Sequence, residues 1–206
     1  GAPLVSASFV DGMGTGSPTL PAWRSSKPGL GCVESMAQTA ARYHLAPQCW
    51  IPAAGCSYFG HDAARARWQM RDAPRLTWDQ QVAWMTALAL TGGAVRFGED
   101  VASLSNRELD ALSKLLPSPT GPARPVDLFA YETPRVWVLP VSTSAGKWCI
   151  IAVFNWDEGE HVTIPLWLSG LGLEESERYT VFDFWEHKYW GLARKQLKVK
   201  LAPGSV

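Results

Sequence analysis

Thr77-Trp78-Asp79-Gln80-Gln81-Val82-Ala83-Trp84-Met85-Thr86-Ala87-Leu88-Ala89-Leu90-Thr91-Gly92-Gly93-Ala94-Val95-Arg96-Phe97-Gly98 decides the fold of this chain. Thr77 is an N-cap with Gln80 three residues on, the signature of a capping box. Trp78, Val82, Met85 and Ala89 recur at helical spacing and make one apolar face. Gly92-Gly93 stops the helix. A strand, Ala94 to Gly98, follows at once. Helix then strand with so short a turn is half of a parallel βαβ unit.

The same rhythm extends both ways. Upstream, Leu4 to Val10 reads as a buried strand ending in a Gly-rich loop, Asp11 to Gly16. A helix from Val33 to His44 follows, then a short strand at Cys49-Trp50-Ile51. A loop runs through Gly60-His61-Asp62, and Asp62 to Met70 can carry a turn or two of helix. Downstream, Ser105 caps another helix, with Glu108 at its third position and Leu109, Leu112, Leu115 and Leu116 on the buried side. Pro117 ends it, and Leu116 to Pro122 reads as a linker.

Beyond residue 124 the texture changes to short alternating strands: Arg135–Pro140, Lys147–Phe154, His161–Pro165, Arg178–Trp185 and Gln196–Leu201. In the last, apolar residues alternate with Lys198 and Lys200. Strands at such spacing predict an antiparallel β-sandwich. The expected organisation is α/β plus β: residues 1–117 as one unit and 124–206 as the other. Three parallel strands are too few to close a (β/α)₈ barrel, which takes about 250 residues. Their open edges call for more protein, either an N-terminal part of the same polypeptide or a complementary chain.

Composition narrows the function. Net charge is zero, which gives no electrostatic reason to expect nucleic acid or an anionic membrane. No run is long and apolar enough for a transmembrane helix. The four cysteines form no C-x-x-C pair and no histidine spacing suits zinc, so no metal or other cofactor is expected and the thiols are read as free. Eleven tryptophans are many for 206 residues; they serve as packing mass or as platforms for sugar rings. The Gly12, Gly14, Gly16 run lacks the spacing and following helix of a phosphate loop. Cellular location is left open.

These stretches, in this order, resemble the α-galactosidase (melibiase) clan, glycoside hydrolase families twenty-seven and thirty-six, and most of all bacterial members of the latter. Gly1-Ala2-Pro3-Leu4 with Val10-Asp11-Gly12-Met13 resembles the clan's sixth barrel strand, C-G-x-P-L…V-D-x-M-R-I-G-P-D. Leu76 to Val82 resembles the start of its seventh helix, and Leu90 to Ala94 the approach to its eighth strand. Leu104 to Pro117 resembles its eighth helix. Phe154-Asn155-Trp156 and Val181 to Trp185 resemble its C-terminal β domain. The resemblance implies strands six to eight of a (β/α)₈ TIM barrel followed by that domain. It also implies a retaining glycosidase acting on terminal α-galactosides, with two carboxylates about 5 Å apart. The nucleophile would lie on the fourth strand, upstream of Gly1.

The acid/base does not stand where the clan has it. Pro18 occupies that position and Gly14 the arginine position; the clan's W-x-N-D-P-D reads Trp50-Ile51-Pro52-Ala53-Ala54-Gly55. Three explanations remain open. Asp62 supplies the acid, against the alternative that it caps a helix. The protein uses a different acid on a different glycoside. Or the chain belongs to a carbohydrate-binding pseudoenzyme that holds sugar with Asp11, Trp23 and Trp50. His61 could orient Asp62, or simply pack; Asp11 could accept from a sugar hydroxyl, or form a turn before Gly12. Arg65, Arg67 and Arg71 beside Trp68 read as a solvated helix face. The aromatics of Phe182-Asp183-Phe184-Trp185 read as sandwich core or as the seam between the two units. A homo-oligomer is a further alternative for covering the open edges.

Overall fold

The computed structural model describes residues 11–16, 19–25, 30–46, 49–69, 74–119 and 121–206. The expected first strand, Leu4 to Val10, lies outside the described residues, as do Pro18 and Arg71.

The N-terminal part is built as the alternation predicts, with shifted boundaries. β1 (Gly12–Gly14) pairs in parallel with β2 (Ile51–Ala53), and β3 (Cys56–Ser57) pairs in parallel with β4 (Arg96–Phe97). β2 and β3 follow one another in the chain, interrupted at Ala54-Gly55, where Gly55 takes φ +144°. Between the strands run α1 (Cys32–Ala40), the short α2 (Asp62–Arg67) and α3 (Trp78–Leu90); α4 (Asn106–Lys114) follows β4. The helix expected to His44 ends at Ala40, and a 3₁₀ turn at Tyr43–Leu45 takes its place.

Both capping boxes are present. Thr77 and Gln80 exchange side-chain and backbone bonds at the start of α3, and Ser105 and Glu108 do the same at α4. α3 is buried on more than the one face expected. Val82, Met85 and Ala89 pack with Phe59, Ala111 and Leu115. Ala83, Trp84, Ala87 and Leu88 pack on the other side with Trp23, Met36, Trp137 and Phe154. A helix apolar all round is a buried helix. The leucine stripe expected to bury α4 is corrected: Leu109 and Leu116 are exposed, and Ala111 with Leu115 makes the contact. A short surface helix seats on one narrow stripe.

The C-terminal part is antiparallel. β5 (Arg124–Pro125), β6 (Val136–Thr143) and β7 (Gly146–Val153) form one sheet. β8 (Val162–Trp167) pairs with β11 (Gln196–Leu201), and β9 (Tyr179–Asp183) with β10 (Lys188–Ala193). β10 and β5 were not expected from the sequence. The period of two in β6 and β7 feeds two cores at once. Val136, Val138, Ile151 and Val153 face Leu166, Val199 and Leu201 in the sandwich. Trp137, Leu139, Ala152 and Phe154 face α3 and α1. The β6–β7 layer therefore lies between the helices and the outer strands, and the two parts share a core.

The end of the segment expected to be a linker, at residues 121–123, is tied down instead. Ala123 N–H donates to Leu90 O at 2.8 Å, and Gly92 (φ +73°) packs directly on Gly121 and Pro122. All four cysteines are free, Cys32 fully buried. No helix among the described residues is long and apolar enough to cross a membrane.

Candidate functional site

Parallel strands end on one side, and the loops after them gather there. After β3 comes 58–61, and after β4 comes 98–105. Glu99 ties the two together: its carboxylate accepts from Phe59 N–H at 2.5 Å and from His61 N–H at 2.7 Å. His61 Nε2 lies 2.8 Å from Glu108 Oε1, and its Nδ1 lies 3.4 Å from Ser103 Oγ. The other Glu108 oxygen accepts from Ser105 N–H and Ser105 Oγ, both at 2.7 Å. Partial burial pushes the Glu108 carboxyl up, but the Ser105 amide and hydroxyl and His61 outweigh it and leave its pKa below the ordinary value. Tyr58, in the same loop, is pushed up to about 12, first by burial and then by the adjacent Cys56, so its phenol stays protonated near neutrality.

Ser103, His61 and Glu108 stand in the order of nucleophile, base and orienting acid. The hydroxyl, however, donates to Asp100 O at 2.7 Å. The neighbouring amides are also committed: Ala102 to Asp100 Oδ1, Ser103 to Asp100 O, Leu104 to Val101 O and Ser105 to Glu108. None of these four is left to receive an oxyanion. The group is a clasp that fixes two loops to the start of α4. The capping role of Glu108 is local and readable in sequence; its bond to His61, 47 positions away, is not.

The sequence-predicted residues do not converge. Asp62 is not the N-cap of α2; that position is His61, with no side-chain capping bond, and Asp62 is the first helical residue. Its carboxylate accepts from Arg75 at 2.5 Å and from Arg65 at 3.3 Å, and it lines an open hollow of about 500 Å³ with Ala63, Arg65 and Ala66. His61 turns the other way, toward Glu108, so it does not orient Asp62. Asp11 stands immediately before Gly12 of β1; its carbonyl accepts from Ile51 N–H at 2.8 Å, and the residue is exposed. The strand expected before Asp11 lies outside the described residues.

Trp23 and Trp50 are each only 3% exposed. Trp23 donates to Trp156 O at 3.2 Å, its ring 5.4 Å from that of Trp156, which stacks on Phe154 at 4.6 Å. Its work is packing across the two parts rather than presenting a ring to a sugar. Trp50 Nε1 is buried without a hydrogen-bond partner among the described residues. Among the described residues no group of His, Cys, Asp and Glu is arranged to hold a metal.

Residues 132–206 match the family described as the alpha galactosidase C-terminal beta sandwich domain. No curated protein matches the chain. Among solved structures, α-galactosidase I from Mortierella vinacea superposes with a TM-score of 0.73 at 9% identity, over 97% of this chain and 52% of that one. A family 27 β-L-arabinopyranosidase from Geobacillus stearothermophilus, in complex with arabinose, superposes with a TM-score of 0.74 at 20% identity, over 99% of this chain and 46% of that one. This chain therefore spans about half the length of these structures, and shares the fold of that half.

Proposed function

We propose that this chain is the C-terminal part of a glycoside hydrolase acting on terminal α-galactosides or a related glycoside. In this reading β1 to β4 are strands six to eight of a (β/α)₈ barrel. The remaining strands come from an N-terminal part of the same polypeptide or from a complementary chain. The carrying observation is the sandwich match at residues 132–206, set against parallel strand pairs that superpose on an α-galactosidase. Exposed Ile51 on β2 supports it: an apolar strand residue 56% open to solvent is what a missing barrel wall would cover. The V-D-G-M stretch at 10–13 supports kinship with the α-galactosidase clan, of which we take glycoside hydrolase family 36 as the nearer branch.

The chemistry would be a retaining displacement, with a nucleophile on the upstream strands and a second carboxylate about 5 Å from it. Asp62 is this chain's candidate for that second role, at the C-terminal side of the strands where barrel enzymes build their sites. The test is the intact polypeptide assayed on aryl α-galactosides and β-L-arabinopyranosides. Turnover is expected, and Asp62→Asn is expected to lower kcat about 10²- to 10⁴-fold, as loss of a general acid does.

A second reading, a carbohydrate-binding pseudoenzyme, is favoured by Asp62 being tied to two guanidinium groups and by Pro18 at the clan's acid/base position. Calorimetric binding of galactosides without hydrolysis would select it. Neither turnover nor binding would reject both.

A further inference from the structure

A hollow of about 310 Å³ opens where the tip of the β9–β10 hairpin meets α3 and α4. It shares no residue with the hollow beside Asp62 or with the His61 clasp. The tip is held there by Trp185. Its Nε1 donates to Thr86 Oγ1 of α3 at 2.9 Å, and Lys114 Nζ of α4 stands 5.8 Å from its ring centre. Trp185 is thus fixed in place, and its ring lines the hollow. Trp78 serves as wall rather than platform. Phe59 stacks on it with the ring planes 3° apart, and the Arg107 guanidinium lies 3.8 Å from its ring centre. That contact holds the donor fork of Arg107 at the rim.

Polar groups of both kinds surround the Trp185 ring. Asp183 Oδ1 accepts from Trp185 N–H at 3.1 Å and from Glu186 N–H at 3.0 Å, which sets the turn that carries both residues. Lys114 pairs with Asp110 at 3.0 Å. The exposed carboxylates of Asp79 and Glu186 line the hollow with no hydrogen bond or ion pair among the described residues. The walls come from this chain alone. In the barrel reading, on which this placement rests, α3 and α4 are consecutive helices and lie side by side in the outer ring. No upstream helix comes between them, and the sandwich tip closes the third side.

The chemistry of the hollow selects its ligand. Four carboxylates against two cations disfavour a phosphate or other anion. No group of His, Cys, Asp and Glu among the described residues is arranged to hold a metal. A neutral sugar fits both facts. Each hydroxyl donates and accepts, so it can satisfy a carboxylate and a guanidinium together, and the C–H face of a pyranose lies on an indole ring. Ligand pockets run about 300–1,000 Å³, so the hollow has room for a small saccharide unit.

We infer that this hollow binds a neutral pyranose unit of a polysaccharide, seated on Trp185 and held by Asp79, Glu186 and Arg107. The test is affinity electrophoresis of the intact polypeptide through gels containing galactomannan and, separately, xylan. The wild type is expected to be retarded in at least one. The double variant Asp79→Ala/Glu186→Ala is expected to bind at least tenfold more weakly, with its melting temperature held because both side chains are exposed. Glu175→Ala/Glu177→Ala removes two exposed carboxylates outside the hollow and should leave retardation unchanged. An unretarded wild type in both gels, full retardation of the Asp79/Glu186 variant, or an equal loss in the Glu175/Glu177 control overturns the inference. Should the first variant fail to fold, Arg107→Ala decides: weaker retardation supports the site and full retardation overturns it. Turnover of an aryl α-galactoside reads the glycosidase proposal by itself. Retardation without turnover leaves this inference standing, and turnover without retardation overturns this inference alone.

Discussion

At the scale of single residues, Glu108 closes two structures with one carboxylate: Oε2 completes the capping box of α4 and Oε1 holds His61. Its acid is stronger in the folded protein than in the unfolded chain. The stabilisation is therefore complete above the ordinary carboxylate range and is lost as pH falls through the lowered folded value. Glu108→Gln keeps the cap geometry, since glutamine also serves at that position, but removes the charge. Thermal unfolding at pH 7 and pH 3.5 should show a smaller acid-induced drop in Tm for the variant than for the wild type. Equal drops would mean that this carboxylate does not couple folding to pH. Glu108 was legible in sequence as a cap because partner and helix lie within four residues. His61 was legible only as a candidate, because its partner comes from an element far along the chain.

At the scale of elements, local signals read well where the deciding partners are local. Both capping boxes and the strand at Gln196–Leu201 stand where the sequence put them. β10 was missed because Lys188-Tyr-Trp-Gly-Leu-Ala193 lacks clean apolar–polar alternation and is interrupted by Gly191, which takes φ +99°. It is a strand because it pairs with β9 around a bulge. The turn after α3 is where an element meets its surroundings most tightly. Gly92 takes φ +73° with the backbone of Gly121 and Pro122 against it, and a methyl group on Gly93 would meet the carbonyl of Pro52. Gly92→Ala faces both the left-handed backbone penalty and a contact that only backbone movement can relieve. A loss of about 1–3 kcal/mol is expected, measured by urea unfolding. A neutral result would show that 121–122 yields freely.

For the whole molecule, the shared core is the governing fact. Trp23, Trp84, Trp137, Phe154 and Trp156 belong to one buried cluster, and Trp185 Nε1 donates to Thr86 Oγ1 of α3 at 2.9 Å. Trp185 thus sits at the seam as its sequence suggested, while Phe182 and Phe184, read with it as core or seam, are exposed. Removing residues 124–206 from the intact polypeptide should abolish cooperative unfolding and the near-ultraviolet circular dichroism of the remainder. A soluble, cooperatively melting product would refute the shared core. The helix–strand alternation from α1 to α4, the change from helical to alternating period near residue 120 and the two capped helices were set by the sequence alone, because each depends on neighbours a few positions apart. Whether a tryptophan packs or is open to a ligand, which leucines of α4 are buried, that 121–123 is anchored, and that Asp62 and His61 face different partners were decided only by tertiary structure. Those outcomes depend on groups distant in the chain meeting across a core, and no local pattern encodes which surfaces will meet.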